Sequence, residues 1–166
     1  MKNFAVIASL LIAAPVLAAP TSHAPDFVKM AGASDLYEKT SSQMVLKDAK
    51  NPKVREFAQM MISDHNKSTA QVKAAAKSDG VTAGPPKLMP EQEKMVADLK
   101  AAKGADREKL YVNQQVMAHQ QALELHQTFA SSGDKPALKQ AASGIVPVVQ
   151  QHLTEVKSMQ SSMGSM

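Results

Sequence analysis

Four residues in this chain have side chains able to bind a metal ion and sit where an apolar residue would be expected: Glu38, His65, His119 and His152. Each lies in a different long segment with helical patterning. Each interrupts the stripe of residues that should face a core. Helical stripes repeat at steps of three and four residues. In the first segment one such row reads Phe27, Ala31, Ser34, Glu38, Ser42, Val45, Ala49. In the second it reads Val54, Ala58, Met61, His65, Ser68, Val72, Ala75. The third reads Val112, Val116, His119, Leu123, His126, Ala130, and the fourth Leu138, Ala142, Ile145, Val149, His152, Val156, Met159. The fourth is the cleanest, with His152 its only polar member. Two serines dilute the first.

The four residues fall roughly 18–27 Å from their helix starts, at 1.5 Å rise per residue. Mid-helix residues of a bundle meet at one level whichever way each helix runs. Three imidazoles and one carboxylate would suit a divalent transition metal: zinc, iron or copper. The alternative is a buried polar network with no metal, in which Glu38 is the counter-ion that satisfies a histidine. One specific centre is excluded. The di-iron carboxylate pattern needs Glu-x-x-His on two helices, and positions 62, 116 and 149 hold Ile, Val and Val. His126, Glu124 and Glu155 are expected in the outer shell or at the surface. Asp64 points about 100° away from His65 on the same helix and reads as a solvated residue. Met61 and Met117 lie near the histidines, and thioethers would suit copper(I). Flexible core filling is the commoner use of methionine. No Ser-His-Asp set, phosphate loop or Gly-rich motif is visible, so catalysis has no positive support.

Punctuation residues mark the elements that must carry these groups. Asp26 can cap a first helix running to about residue 50. Asn51-Pro52 offers an N-cap and a first-turn proline, opening a second helix that Gly80 stops near residue 79. Residues 82–90 hold Gly84 and three prolines and read as a loop. A short helix spans 91–103. Asp106 caps a third long helix over 106–132, and Gly133-Asp134 opens a fourth over 134–160. Pro147 inside it removes the bond to the Ser143 carbonyl. The expected fold is all-α: a ferritin-like four-helix bundle of two antiparallel hairpins joined by a long crossover with a short extra helix.

Composition bounds the rest. Lys2 and the apolar run over residues 4–17, followed by small residues, read as a signal peptide cut after Ala18 or Ala19. Residues 19–25 would be a tether, 26–160 the bundle and 161–166 a flexible tail. A periplasmic or secreted location follows, and no other stretch approaches a membrane span. Cysteine is absent, which excludes disulfides, thiolate metal sites and cysteine nucleophiles. Lys plus Arg number 19 against 15 Asp plus Glu, and the basic residues are dispersed. Nucleic-acid binding would want a basic patch and stacking aromatics, whereas Trp is absent and Tyr numbers two.

Three stretches carry a family resemblance: SDLYEKTSSQMVLKDAKNPKVREFAQMMISDH, YVNQQVMAHQQAL and IVPVVQQHL. Over residues 26–159 the chain resembles a bacterial secreted family catalogued as a domain of unknown function, number four-one-four-two. That resemblance implies a ferritin-like fold and places Glu38, His65, His119, Pro147 and His152 at signature positions. The family tends to carry an acid before the third-segment histidine, where this chain has Ala118. The resulting expectation is an exported helical-bundle protein that binds one metal ion in its core. The rival is a non-catalytic envelope or stress-related interaction protein whose buried polar groups only fix the packing.

Overall fold

The computed structural model describes residues 21–164, so the expected leader at residues 1–18, residues 19–20 of the expected tether and the last two tail residues lie outside the described residues. Five helices follow one another: α1 (Ala24–Val45), α2 (Pro52–Ser78), α3 (Pro90–Ala101), α4 (Gly104–Ser132) and α5 (Pro136–Gly164), with no strand among the described residues. α1 pairs with α2 and α4 with α5. α2 also packs on α5 and α1 on α4, which closes the four long helices into a square. Cross-helix contacts run in opposite order along each neighbouring pair. Phe27 meets Phe129 while Ser42 meets Tyr111, and Asp79 meets Leu138 while Asp64 meets His152. The crossover lets α3 cover the α1–α4 seam, where Met95 packs with Tyr37 and Ala118.

Helix ends follow local chemistry with some corrections. Asn51 caps α2 as expected, accepting from the Lys53 amide at 3.0 Å. Gly80 ends it with φ of 68°, a left-handed conformation that glycine adopts without a Cβ clash. The Val81 amide then reaches back to the Ala76 carbonyl at 2.8 Å, closing the helix end. α1 begins at Ala24, two residues before Asp26, because Pro25 favours the first turn and Asp134 takes the Ala24 amide at 2.9 Å. It ends at Val45 and not near residue 50. The chain must leave helical geometry ahead of Pro52, and Arg55 binds the freed Leu46 and Ala49 carbonyls. Asp134, expected to cap the fourth long helix, serves α1. Asp79 accepts from Ala137 and Leu138 at the start of α5 instead. α4 starts at Gly104, ahead of Asp106. α5 stays helical through Pro147 and on to Gly164, so most of the expected tail belongs to the helix.

The core is divided. One apolar cluster holds Phe27, Val72, Leu125, Phe129, Leu138 and Ile145. The other holds Val45, Phe57, Met61, Tyr111, Val112 and Val156. Phe27 and Phe129 stack at 4.0 Å in the first. Between the two lies a layer of buried polar side chains that includes Asp35, Glu38, His65, Gln115, His119 and His152. The rows of helical spacing run apolar, polar, apolar along the bundle, with His126 a second polar member of the third row.

Candidate metal centre

His65 comes from α2, His119 from α4 and His152 from α5. One ring nitrogen from each lies within 4.8 Å of the other two. The ring centroids are 5.7 Å apart for His65 and His119, 5.9 Å for His65 and His152, and 5.5 Å for His119 and His152. All three side chains are buried, His119 completely. Phe57 closes the layer from the second apolar cluster, its ring 6.1 Å from that of His119 and 6.5 Å from that of His152.

Each imidazole uses one nitrogen and leaves the other unpartnered. His65 Nδ1 donates to Asp35 Oδ1 at 2.8 Å. His119 Nδ1 donates to the Gln115 carbonyl at 2.9 Å. His152 Nε2 donates to Asp64 Oδ2 at 3.1 Å. The acceptors have no proton to offer, so these bonds fix the tautomers. The lone pairs that remain are on His65 Nε2, His119 Nε2 and His152 Nδ1, and none has a hydrogen-bond partner. A buried polar atom without a partner costs about 1–3 kcal/mol, and three lie together. Metal-bound histidines show the same pattern, one nitrogen on the ion and the other N–H held by a carboxylate or carbonyl. The three histidines could hold a metal ion. Around a tetrahedral ion the nitrogens would sit about 3.4 Å apart at the usual 2.0–2.1 Å bond length, so modest ring rotations suffice.

Electrostatics favour the neutral form of His119 and His152 and act in the opposite direction on His65. Burial, then the neighbouring His65 and His152, lowers His119 to about 3. Burial and His65 lower His152 against the pull of Asp64. For His65 burial is the largest influence and lowers it, but the Asp35 bond and the charges of Glu38, Asp35 and Asp64 together outweigh it, and the net shift is upward. Burial raises Glu38 to about 7 in spite of His65 and Gln115. Neutral imidazoles are the form that binds metal.

Of the four residues Glu38, His65, His119 and His152, the structure groups the three histidines. Glu38 is fully buried in the same layer, with Oε1 3.6 Å from His119 Nδ1. That is the nitrogen already committed to Gln115, and Glu38 is not in the group of mutually close ligand atoms. Neither of its oxygens has a hydrogen-bond partner. Asp35 was missed. From Ala31 a step of three reaches Ser34 and a step of four reaches Asp35; the step of four is the buried one. Asp64, expected in solvent, holds His152 and is only half-buried. His126, expected at the surface or in the outer shell, is buried edge-on against Phe27 with centroids 5.4 Å apart, and burial lowers it to about 4. It lies outside the triad. Glu124 and Glu155 are exposed. Met61 is buried in an apolar cluster and Met117 points outward, 45% exposed, so neither joins the nitrogens.

Solved structures share this fold. A DUF305 fragment from Deinococcus radiodurans aligns with a TM-score of 0.73 at 17% identity, covering 89% of this chain and 99% of that one. CopM in a Cu(II)-bound form aligns with a TM-score of 0.71 at 14% identity, covering 84% of this chain and 97% of that one. CopM in a silver-bound form gives 0.68 at 13% identity, with 86% and 98% covered. At these identities the likeness concerns the fold. No curated protein matches the chain. No helix among the described residues is long and apolar enough to cross a membrane. The family model of DUF4142, a domain of unknown function, matches residues 12–159, and the chain belongs to that family.

Proposed function

We propose that this is an exported binding protein that holds one divalent transition-metal ion in the middle of its bundle, through His65 Nε2, His119 Nε2 and His152 Nδ1. The observation that carries this reading is that one ring nitrogen from each of three buried histidines lies close to the other two, while every ring has one unpartnered nitrogen and one anchored N–H. Export rests on the charged and apolar start of the sequence over residues 2–17. Glu38 supplies the compensating charge. It is a carboxylic acid over much of the neutral range in the apo protein, and a dication beside it favours the carboxylate. Metal uptake then releases a proton from Glu38.

Copper(II) is the ion to test first. Three imidazoles suit it, and CopM, which has a similar fold, has been seen with Cu(II) and with silver. Untagged protein should bind one equivalent of Cu(II) by calorimetry, with zinc as the comparison. His152→Ala should abolish the binding. If the wild type takes up neither ion, the polar layer serves packing alone and the metal function is wrong.

A further inference from the structure

The three anchors of the triad differ in exposure. Asp35 is 5% exposed at the side chain, and its two oxygens face His65 and Thr69. The groove formed by α1, α2 and the 82–87 loop ends on this residue, but both of its oxygens are occupied. The anchor of His119 is a main-chain carbonyl beside a side chain with no exposure. Asp64 is different. Its side chain is 23% exposed, with Oδ2 on His152 and Oδ1 on the Lys67 ammonium at 2.8 Å. Lys67 itself is 70% exposed. An open trough of about 670 Å³ runs along this α2–α5 face, with Glu56, Gln151 and Glu155 among its walls. Gln151 adjoins His152 in sequence and Glu56 lies about two helical turns before Asp64, so the trough opens on the same α2–α5 flank as Asp64.

We infer that the metal ion enters through the α2–α5 face, and that Asp64 is the residue that captures it there. This rests on the metal-binding reading above and assigns the site its door. The cation displaces Lys67 from Asp64 Oδ1 and passes along the edge of the His152 ring to the buried nitrogens. His152 is the ligand whose anchor lies nearest solvent, and its unpartnered nitrogen is Nδ1 where the other two have Nε2. Lys67 acts as an internal competitor that keeps the capture carboxylate occupied until a cation arrives. Asp64 is in this account a positioning residue with a kinetic role, since charge on the approach path raises the local cation concentration and the association rate.

The test is stopped-flow mixing of the full mature protein with Cu(II). Tyr37 and Tyr111 are the sole hydroxylated rings in the chain and Trp is absent, so quenching of tyrosine fluorescence reports the event. Lys67→Ala, at an exposed position, should raise the association rate several-fold and leave dissociation unchanged. Asp64→Asn keeps the shape and an acceptor for His152, and should slow association about tenfold and flatten its salt dependence. Association rates within twofold of wild type in both variants would overturn the inference. So would a defect of Asp64→Asn confined to dissociation, because Asp64 would then only hold His152. Failure of the wild type to bind Cu(II) saturably removes the metal reading and this inference together. Binding with unperturbed association removes this one alone.

Discussion

The apolar clusters at either end of the bundle and the polar layer between them solve the same packing problem in opposite ways. The Phe27–Phe129 cluster, and again the one around Phe57 and Val156, is built mainly of side chains with nothing to satisfy but volume. In the middle layer the same helical positions hold carboxylates and imidazoles, several with unpartnered atoms. Apolar side chains of similar size would fill that space at lower cost. The ends of the bundle are therefore built for stability, and the centre carries the cost of its unpartnered buried atoms.

Truncation should separate the two regions first and most strongly. Phe129→Ala, in a fully buried stacked pair, should cost about 3–5 kcal/mol in thermal or denaturant unfolding, equally with and without Cu(II). The centre should respond to metal where the ends do not. At a Cu(II) concentration 100-fold above Kd the wild type should gain about 2.7 kcal/mol. Chelation should reverse this, and His152→Ala should show neither change in melting temperature.

Acidity offers a smaller and signed contrast. His119 and His126 have folded values near 3 and 4, below their unfolded values. Their contribution is intact above about 6.5 and is lost as pH falls. Glu38 is raised to about 7, so its contribution is intact below about 4.5 and is lost as pH rises through 7. His65, also raised, acts in the same direction as Glu38. The apo protein should be most stable in the mildly acidic window where these opposing losses cross. Glu38→Gln should steepen the rise between about pH 4.5 and 6.5, where Glu38 no longer opposes His119 and His126, and flatten the decline through about pH 7, with a residual slope from His65. A melting-temperature profile of the variant parallel to that of the wild type would refute the assignment. Smaller still, His119→Leu in the absence of metal should be neutral or stabilising by about 1–2 kcal/mol, since it removes an unpartnered buried atom. A loss above that range in chemical denaturation would mean that the polar layer itself supports the fold.

The helices and the triad were legible because periodicity carries them. A histidine at a step of three or four in an otherwise apolar row can point only inward, and three rows agree at one level. The outer anchors were not legible for the same reason. Asp35 and Ser34 are both allowed steps from Ala31, and only the twist of α1 against α2 chooses Asp35. Asp64 lies 100° from His65 on its own helix, but α5 packs on that flank and brings His152 to it. The caps show the limit again. Asp79 and Asp134 each have capping chemistry, yet neither caps the helix its sequence position suggests, because the recipient is set by which helix ends meet in space. Glu38 satisfies the periodicity and lies in the right layer. Its side chain reaches the Nδ1 of His119, a detail of rotamer and not of spacing.

Those exchanged caps make each hairpin depend on the other. The end of α2 supplies the acceptor for the start of α5, the residue ahead of α5 supplies the one for α1, and Glu108 of α4 holds the Lys50 and Asn51 amides ahead of α2. Neither half satisfies all of its own helix starts. Peptides for residues 21–80 and 90–164 should each be poorly helical alone and gain helicity when mixed. The intact chain should refold in a single step, with no half-folded species presenting an incomplete set of histidines to a metal.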